Sequence, residues 1–304
     1  MTHPSDRLAT FERYRARLFG IAYRMLGSVH DAEDVVQEAW LRWQDADAAE
    51  IRAAEGWLVA VATRLSIDRL RRMATEREAY VGNWLPEPIA ATGAPPDRAA
   101  ELASDLSMAF LVLLERLGPE ERAAFLLREV FGAGYDEIAR ILERSEAACR
   151  QVVHRARERV RRDERRFDTP VDVKERLLDQ FLAAIANEDR EGLLAVLGDE
   201  VVFVADGGGK ASAYPEIVTD PERLAQLLVG FERSGRVIAA RRGLGAIEHR
   251  PTTINGEPAV LTLVGGRSVF TTSFAFDGDR ISGVFRVLNP DKLRHVGAAP
   301  FVES

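Results

Sequence analysis

The stretch YDEIARILERSEAACRQVVHRARERVRR occupies residues 135–162, and its reading decides the fold. Two helical segments, YDEIARIL and EAACRQVVHRARERVRR, flank a three-residue turn, ERS. Ile138, Leu142, Cys149, Val152 and Val153 recur at helical spacing and can form a shared core. Ala139 is small where the two helices must cross closely. This pattern predicts a helix-turn-helix, whose second helix enters the DNA major groove. Arg150, His154, Arg157 and Arg161 follow one face of that helix; Arg155, Arg159, Arg162 and Arg166 follow an adjacent one. Arginine reads guanine edges bidentately or clamps phosphates. Glu146 and Gln151, near the helix start, are the expected base readers. The competing reading is a solvated charged helix on a bundle; the coincidence of turn, small residue and basic face favours DNA. Cys149 fills an apolar position, which suits a structural thiol. It is the chain's one cysteine, so no internal disulfide forms and a reducing cytoplasm is the expected compartment.

Working outward, LGPEERAAFLLREVFGAG (117–134) reads as a helix opened by Pro119 and broken by FGAG. Residues 8–80 read as all helix. In SVHDAEDVVQEAWLRW, Ala32, Val35, Val36, Ala39, Trp40 and Trp43 make one apolar stripe, with Ser28 as N-cap. Asp31, Glu33 and Asp34 suit the positive end of that helix. GWLVAVATRLSIDRLRR (56–72) is a second long helix with a basic end. Residues 81–100, rich in Pro, Gly and Ala, form a linker.

The net charge of −7 hides a pattern. Residues 31–55 hold eight acids against two arginines, and residues 140–166 hold ten arginines against five acids. An acidic surface and a basic helix in one chain suit a protein that touches another protein with one part and DNA with another. No apolar run reaches the ~18 residues of a membrane span, and the first residues carry no apolar signal-peptide core.

Downstream, residues 173–197 read as two helices. Four β-rich runs follow: EVVFVAD (200–206), GRVIAARRGL (235–244), TTINGEPAVLTLVGG (252–266) and RSVFTTSFAFDGDRISGVFRVLN (267–289). The NG and DGD turns signal hairpins, so this is a separate α+β domain. Its loop ADGGGKA (205–211) looks at first like a phosphate cradle. A P-loop needs G-x-x-x-x-G-K-[ST]; here the glycines are consecutive and Ala211 follows Lys210, which argues against nucleotide hydrolysis and leaves a turn after the strand EVVFVAD as the plain reading.

The quoted segments resemble a family. DAEDVVQEAWLRW (31–43) is similar to the polymerase-binding helix of the extracytoplasmic-function sigma factors, and GWLVAVATRLSIDRLRR to their −10 promoter helix. Residues 117–160 resemble their −35 domain. The resemblance implies that Asp34, Gln37, Glu38 and Leu41 contact the clamp coiled coil of the largest subunit of core RNA polymerase. Trp40 and Trp43, on the stripe, are read as core. It also implies that Arg64, Asp68, Arg69, Arg71 and Arg72 serve the −10 element, and Glu146, Arg150, Gln151, His154 and Arg155 the −35 element. Arg64 departs from the family, which commonly has Asn there; an intramolecular ion pair is an equal reading for it.

Residues 170–304 resemble a SnoaL-like cone of the nuclear-transport-factor type, carried at the C-terminus by the SigJ-like group of these sigma factors. That group's three signatures are present: Trp84, Leu85, Pro86, Glu87 and Pro88; Asp206, Gly207, Gly208, Gly209 and Lys210; and Asn289, Pro290, Asp291, Lys292 and Leu293. The resemblance implies a regulatory domain acting in cis; on the charges of these segments, Lys210 is expected to meet Glu87, or Asp206 an arginine of the promoter helix.

The expected architecture is therefore two all-α sigma domains, the second a helix-turn-helix, followed by an α+β cone. The expected boundaries are 1–80, 81–100 (linker), 101–167 and 168–304. No metal or cofactor is expected, and no enzymatic activity. The alternative makes the cone a small-ligand sensor or a residual isomerase or cyclase, with Asp206, Tyr214 and His249 as candidate groups and His249 read as a strand-end or loop residue.

Overall fold

The computed structural model describes residues 4–47, 51, 53–90, 107–164, 169–294 and 296–297. They fall into two compact units. The first joins three N-terminal helices to the chain from Leu111 to Arg162; the second joins residues 80–90 and 107–110 to the C-terminal part. Residues 91–106 of the linker region, residues 165–168 with Arg166, and the side chains of Arg161 and Arg162 lie outside the described residues.

In the first unit, α1 (Pro4–Leu26), α2 (Val29–Asp45) and α3 (Ala54–Glu78) pack together. The Ser28 hydroxyl accepts from the Asp31 N–H, so the expected N-cap forms. The stripe of α2 buries Ala32, Val35, Val36, Ala39 and Trp43. Trp40 is half-buried against Phe11, and Trp43 packs on Trp57. After α4 (Met108–Leu114), α5 (Pro119–Phe125) runs into a π-helical turn over Leu126–Val130. Then α6 (Tyr135–Leu142) and α7 (Glu146–Glu164) form the helix-turn-helix. Its core holds Ile138, Cys149, Val152 and Val153 as expected. Ile141 is the buried residue at the end of α6, and Leu142 is only half-buried, a one-residue correction. Glu143 ends α6 in the left-handed region (φ 54°), and the Ser145 hydroxyl caps α7 through the Ala148 N–H.

In the second unit, α8 (Val171–Ala186) and α9 (Arg190–Val196) precede β1 (Leu197–Asp206). Next come α10 (Pro221–Arg242) and four strands: β2 (Ile247–Ile254), β3 (Glu257–Val264), β4 (Arg267–Asp277) and β5 (Arg280–Val287). The sheet order is β1-β5-β4-β3-β2, an antiparallel meander with β1 added parallel to β5. Residues 235–242, expected as strand, are the last turns of α10. Asp220 caps that helix, Pro221 opens it and Gly243 closes it in the left-handed region, so one Val-Ile pair does not outweigh the helical context. Phe181, Phe203, Phe274, Leu224, Leu228 and Val260 lie in the domain's core.

Candidate functional site

The acidic residues of α2 lie opposite its buried stripe. Asp34, Gln37 and Leu41 are exposed and Glu38 is half-buried, at spacings that put all four on one face. Glu38 accepts from Arg42 Nε at 2.9 Å, and Asp34 lies 3.7 Å from His30. Leu41 keeps 48% of its surface exposed.

On α3, Arg64, Asp68, Arg71 and Arg72 are exposed and Arg69 is half-buried. Each already has an internal partner. Arg64 donates from Nε to the Ile141 carbonyl and from a terminal nitrogen to the Arg140 carbonyl, both at 2.9 Å, and pairs with Glu143 at 3.2 Å. Arg64 of α3 thus caps the first helix of the helix-turn-helix, as the ion-pair reading anticipated. Arg71 pairs with Glu120 at 2.9 Å and Asp68 at 3.2 Å, and Arg72 donates to the Asp68 carbonyl. Arg69 bridges Glu76 and Asp31, which holds its guanidinium above its ordinary value despite partial burial. Arg122, a residue no local pattern marks, is buried at the same junction. It donates to the Met25 carbonyl at 2.6 Å and to Glu115 at 3.0 Å, while burial lowers its guanidinium.

On α7, Glu146, Arg150, Gln151, His154 and Arg155 are all exposed, with Glu146, Arg150 and His154 along one face and Gln151 and Arg155 on the adjacent one. Arg150 pairs with Glu146 at 2.7 Å and lies 5.0 Å over the Tyr135 ring. Arg157 and Arg159, counted with the basic faces, turn instead to Glu129 and Glu121 of the preceding segment. Cys149 is wholly buried and its thiol is raised by that burial, as a structural role requires.

The three signatures meet in the second unit. Residues 80–90 run as an extended strap along the cone. Asp206, at the end of β1, has no solvent exposure. One of its oxygens accepts the Tyr80 hydroxyl at 2.6 Å; the other accepts the Leu85 N–H at 2.9 Å and Lys292 Nζ at 2.7 Å. Lys292 also donates to the Leu85 carbonyl and sits 4.2 Å over the Trp84 ring. Asn289 donates to the Tyr80 hydroxyl at 3.0 Å, and its own N–H reaches the Asp206 carbonyl at 3.0 Å. Leu85, Pro86, Glu87 and Pro88 are buried; a leucine buried so completely contributes roughly 1.5–3 kcal/mol. Further along, the Ile89 backbone exchanges two hydrogen bonds with Asn255, at 2.7 and 2.8 Å. The glycines have a steric reason. Gly208 (φ 58°) has Asn289 and the Tyr80 hydroxyl where a side chain would project, and Gly209 (φ 69°) faces Val81.

Two expectations about this cluster are corrected. Lys210 pairs with Asp291 rather than Glu87, because the loop turns it towards the PDKL turn (Pro290–Leu293). Asp206 is spent on Tyr80, Leu85 and Lys292 rather than on an arginine of α3. Tyr80, which closes this network, lay outside the signatures. The candidate catalytic groups do not converge either. Asp206 is in the clasp, and Tyr214 accepts from Arg223 at 2.7 Å. His249 lies inside β2, not in a loop or at a strand end, and its Nε2 is 2.9 Å from Glu232.

No described helix is long and apolar enough to cross a membrane. Residues 10–76 match the family model Sigma-70 region 2, and residues 107–160 match Sigma-70, region 4. The chain is similar to the ECF RNA polymerase sigma factor SigJ of Mycobacterium tuberculosis, 34% identical over 94% of this chain and 93% of that protein. It is 30% identical to the probable ECF RNA polymerase sigma factor SigI of the same organism, over 94% of each. The crystal structure of M. tuberculosis SigJ superposes with a TM-score of 0.75, covering 95% of this chain and 98% of that one at 32% identity. Family models over both helical modules, full-length kinship through the α+β domain and a shared fold lead to one conclusion: the chain belongs to the extracytoplasmic-function sigma factors, SigJ-like in its domain plan, which direct transcription initiation and are not enzymes.

Proposed function

We propose that the C-terminal domain regulates this sigma factor in cis by holding the segment between its two promoter-reading modules. The observation that carries the reading is the buried Asp206 carboxylate, which gathers Tyr80, Leu85 and Lys292. The strap leaves α3 and leads towards region 4, so a domain that grips it governs how far the two modules can separate. Because strap and cone share one chain, the grip works at high effective concentration.

Two further roles complete the reading. Asp34, Gln37, Glu38 and Leu41 dock on the clamp coiled coil of core polymerase. Arg64, Asp68, Arg69, Arg71 and Arg72 serve the −10 element, and Glu146, Arg150, Gln151, His154 and Arg155 the −35 element. The internal pairs of Arg64 and Arg71 support a resting state in which the −10 helix is engaged by region 4 and must be released at the promoter. The protein works in the cytoplasm, where core polymerase is.

Run-off transcription with core polymerase, comparing the full chain with a truncation at residue 167, tests the reading. A more active truncation means the cone holds the modules closed; an inactive one beside an active full chain means it sets their spacing. Equal output from both contradicts regulation in cis.

A further inference from the structure

The cone encloses a cavity of about 210 Å³ between α8, α10 and the strands β2–β5. Its wall is mostly apolar, with Phe181, Leu228, Phe231, Val260 and Phe270 prominent. Arg286, on β5, projects into it. Its guanidinium carbon stands 4.4 Å from the centroid of Phe270 and 5.8 Å from those of Phe203 and Phe231. Its Nε is closed off from solvent and has no hydrogen-bond partner. Among the described residues no carboxylate reaches ion-pair distance of it. Burial brings its pKa down to about 10, against a partial opposing pull from Glu232.

Glu232 does not neutralise this cation, because it is committed elsewhere. One oxygen accepts from Arg236 Nε and the other lies against His249 Nε2, each at 2.9 Å. Burial alone would raise the Glu232 carboxyl, but His249 and Arg236 together hold it below its ordinary value. His249 Nδ1 is in turn 3.0 Å from the Thr262 hydroxyl. These polar groups satisfy one another and leave Arg286 as the unmatched charge.

A half-buried cation with a sealed Nε and no counter-ion costs free energy that a leucine or methionine at the same place would not. The three rings soften that cost, since their faces attract a guanidinium, but they provide no acceptor for its N–H groups. What the cavity lacks is one planar anion with an apolar body. We propose that it binds a small organic carboxylic acid, with its carboxylate forked on Arg286 and its hydrocarbon part among Phe181, Phe231 and Phe270. A carboxylate matches a guanidinium bidentately. The volume lies below the ~300–1,000 Å³ of drug-sized sites, so the body is a single ring or a short chain.

The test is isothermal titration calorimetry of the full chain with phenylacetate and octanoate, each beside its neutral isostere, phenylacetamide or octanamide. We expect saturable binding of at least one acid, with its amide at least tenfold weaker. Arg286→Gln should abolish the preference for the acid. Should that variant fail to fold, Ile238→Trp decides: Ile238 is 49% exposed at the cavity rim, so a larger side chain there narrows the entrance without disturbing the core. Loss of acid binding in Ile238→Trp supports the site. The proposal is overturned if neither acid binds, if acid and amide bind alike, or if Ile238→Trp binds as the wild type does.

Discussion

Lys292 Nζ stands 2.7 Å from an oxygen of Asp206, a carboxylate with no exposure to solvent. The pair joins the end of β1 to the PDKL turn, and the Leu85 N–H and the Tyr80 hydroxyl complete the shell of Asp206. A buried ion pair with every hydrogen bond made is costly to half-remove. Asp206→Ala leaves the half-buried Lys292 ammonium without its carboxylate and the Leu85 N–H and Tyr80 hydroxyl without their acceptor, so unfolding of the C-terminal domain in urea should become easier by about 3–5 kcal/mol. A loss below ~1 kcal/mol, the worth of one ordinary hydrogen bond, contradicts this account.

Tyr80 reports the same clasp through its ionisation. Burial, and then its hydrogen bond to Asp206 and the charge of that carboxylate, hold the phenol well above its ordinary value, with only Asn289 opposing. A raised folded pKa gives stability that is complete below the ordinary tyrosine value of about 10 and is lost as pH rises through the folded one. The strap should therefore stay clasped at neutral pH and loosen only in strong alkali. The difference in phenolate absorbance between wild type and Tyr80→Phe should show one late-titrating group. Ionisation of that group near its ordinary pH contradicts the assignment.

Gly208→Ala tests the glycine loop. A Cβ there would overlap the Asn289 amide nitrogen and approach the Tyr80 hydroxyl to 2.9 Å, on a backbone at φ 58°. Strap and loop have to separate to admit it. Protease cleavage within residues 80–90 should accelerate several-fold, with the circular dichroism of the cone retained. Cleavage at the wild-type rate would mean that the loop does not govern the strap.

How legible was this in the sequence? The helix-turn-helix was, because Ile138, Cys149, Val152 and Val153 repeat at the helical period around a short turn, and a period is a local property. The hairpins were legible through Asn255-Gly256 and Gly278, whose left-handed backbones demand such residues. Residues 235–242 misled, since Val237 and Ile238 favour strand locally while the cap at Asp220, fifteen residues earlier, commits the segment to helix. The signatures marked the loops of the clasp but not their partners. Tyr80, Arg122, Glu232 and Arg286 act through contacts distant in sequence, and a single polar residue meeting a distant one leaves no spacing to read.

The turn of the helix-turn-helix offers a stabilising change. Glu143 sits at φ 54°, where a side chain costs roughly 1–2 kcal/mol and glycine is at ease. Its ion pair with Arg64 is largely exposed, 47% and 77% for the two side chains, and such pairs contribute ~0–1 kcal/mol. Backbone relief wins, so Glu143→Gly should raise the melting temperature of the helical part. It should also free part of the hold on Arg64 and strengthen binding to a −10 promoter strand in the presence of core polymerase. A lower melting temperature would show that the ion pair outweighs the backbone.

The proposed control of initiation by the C-terminal domain acts through its grip on the strap. Run-off transcription by core polymerase with the full chain, beside Lys292→Met and Tyr80→Phe, tests it most directly. Transcript yield should change in both variants in the same direction, in step with strap cleavage by protease, while core-polymerase affinity is unchanged. Variants whose straps are released but whose transcript yield equals that of the wild type would contradict it.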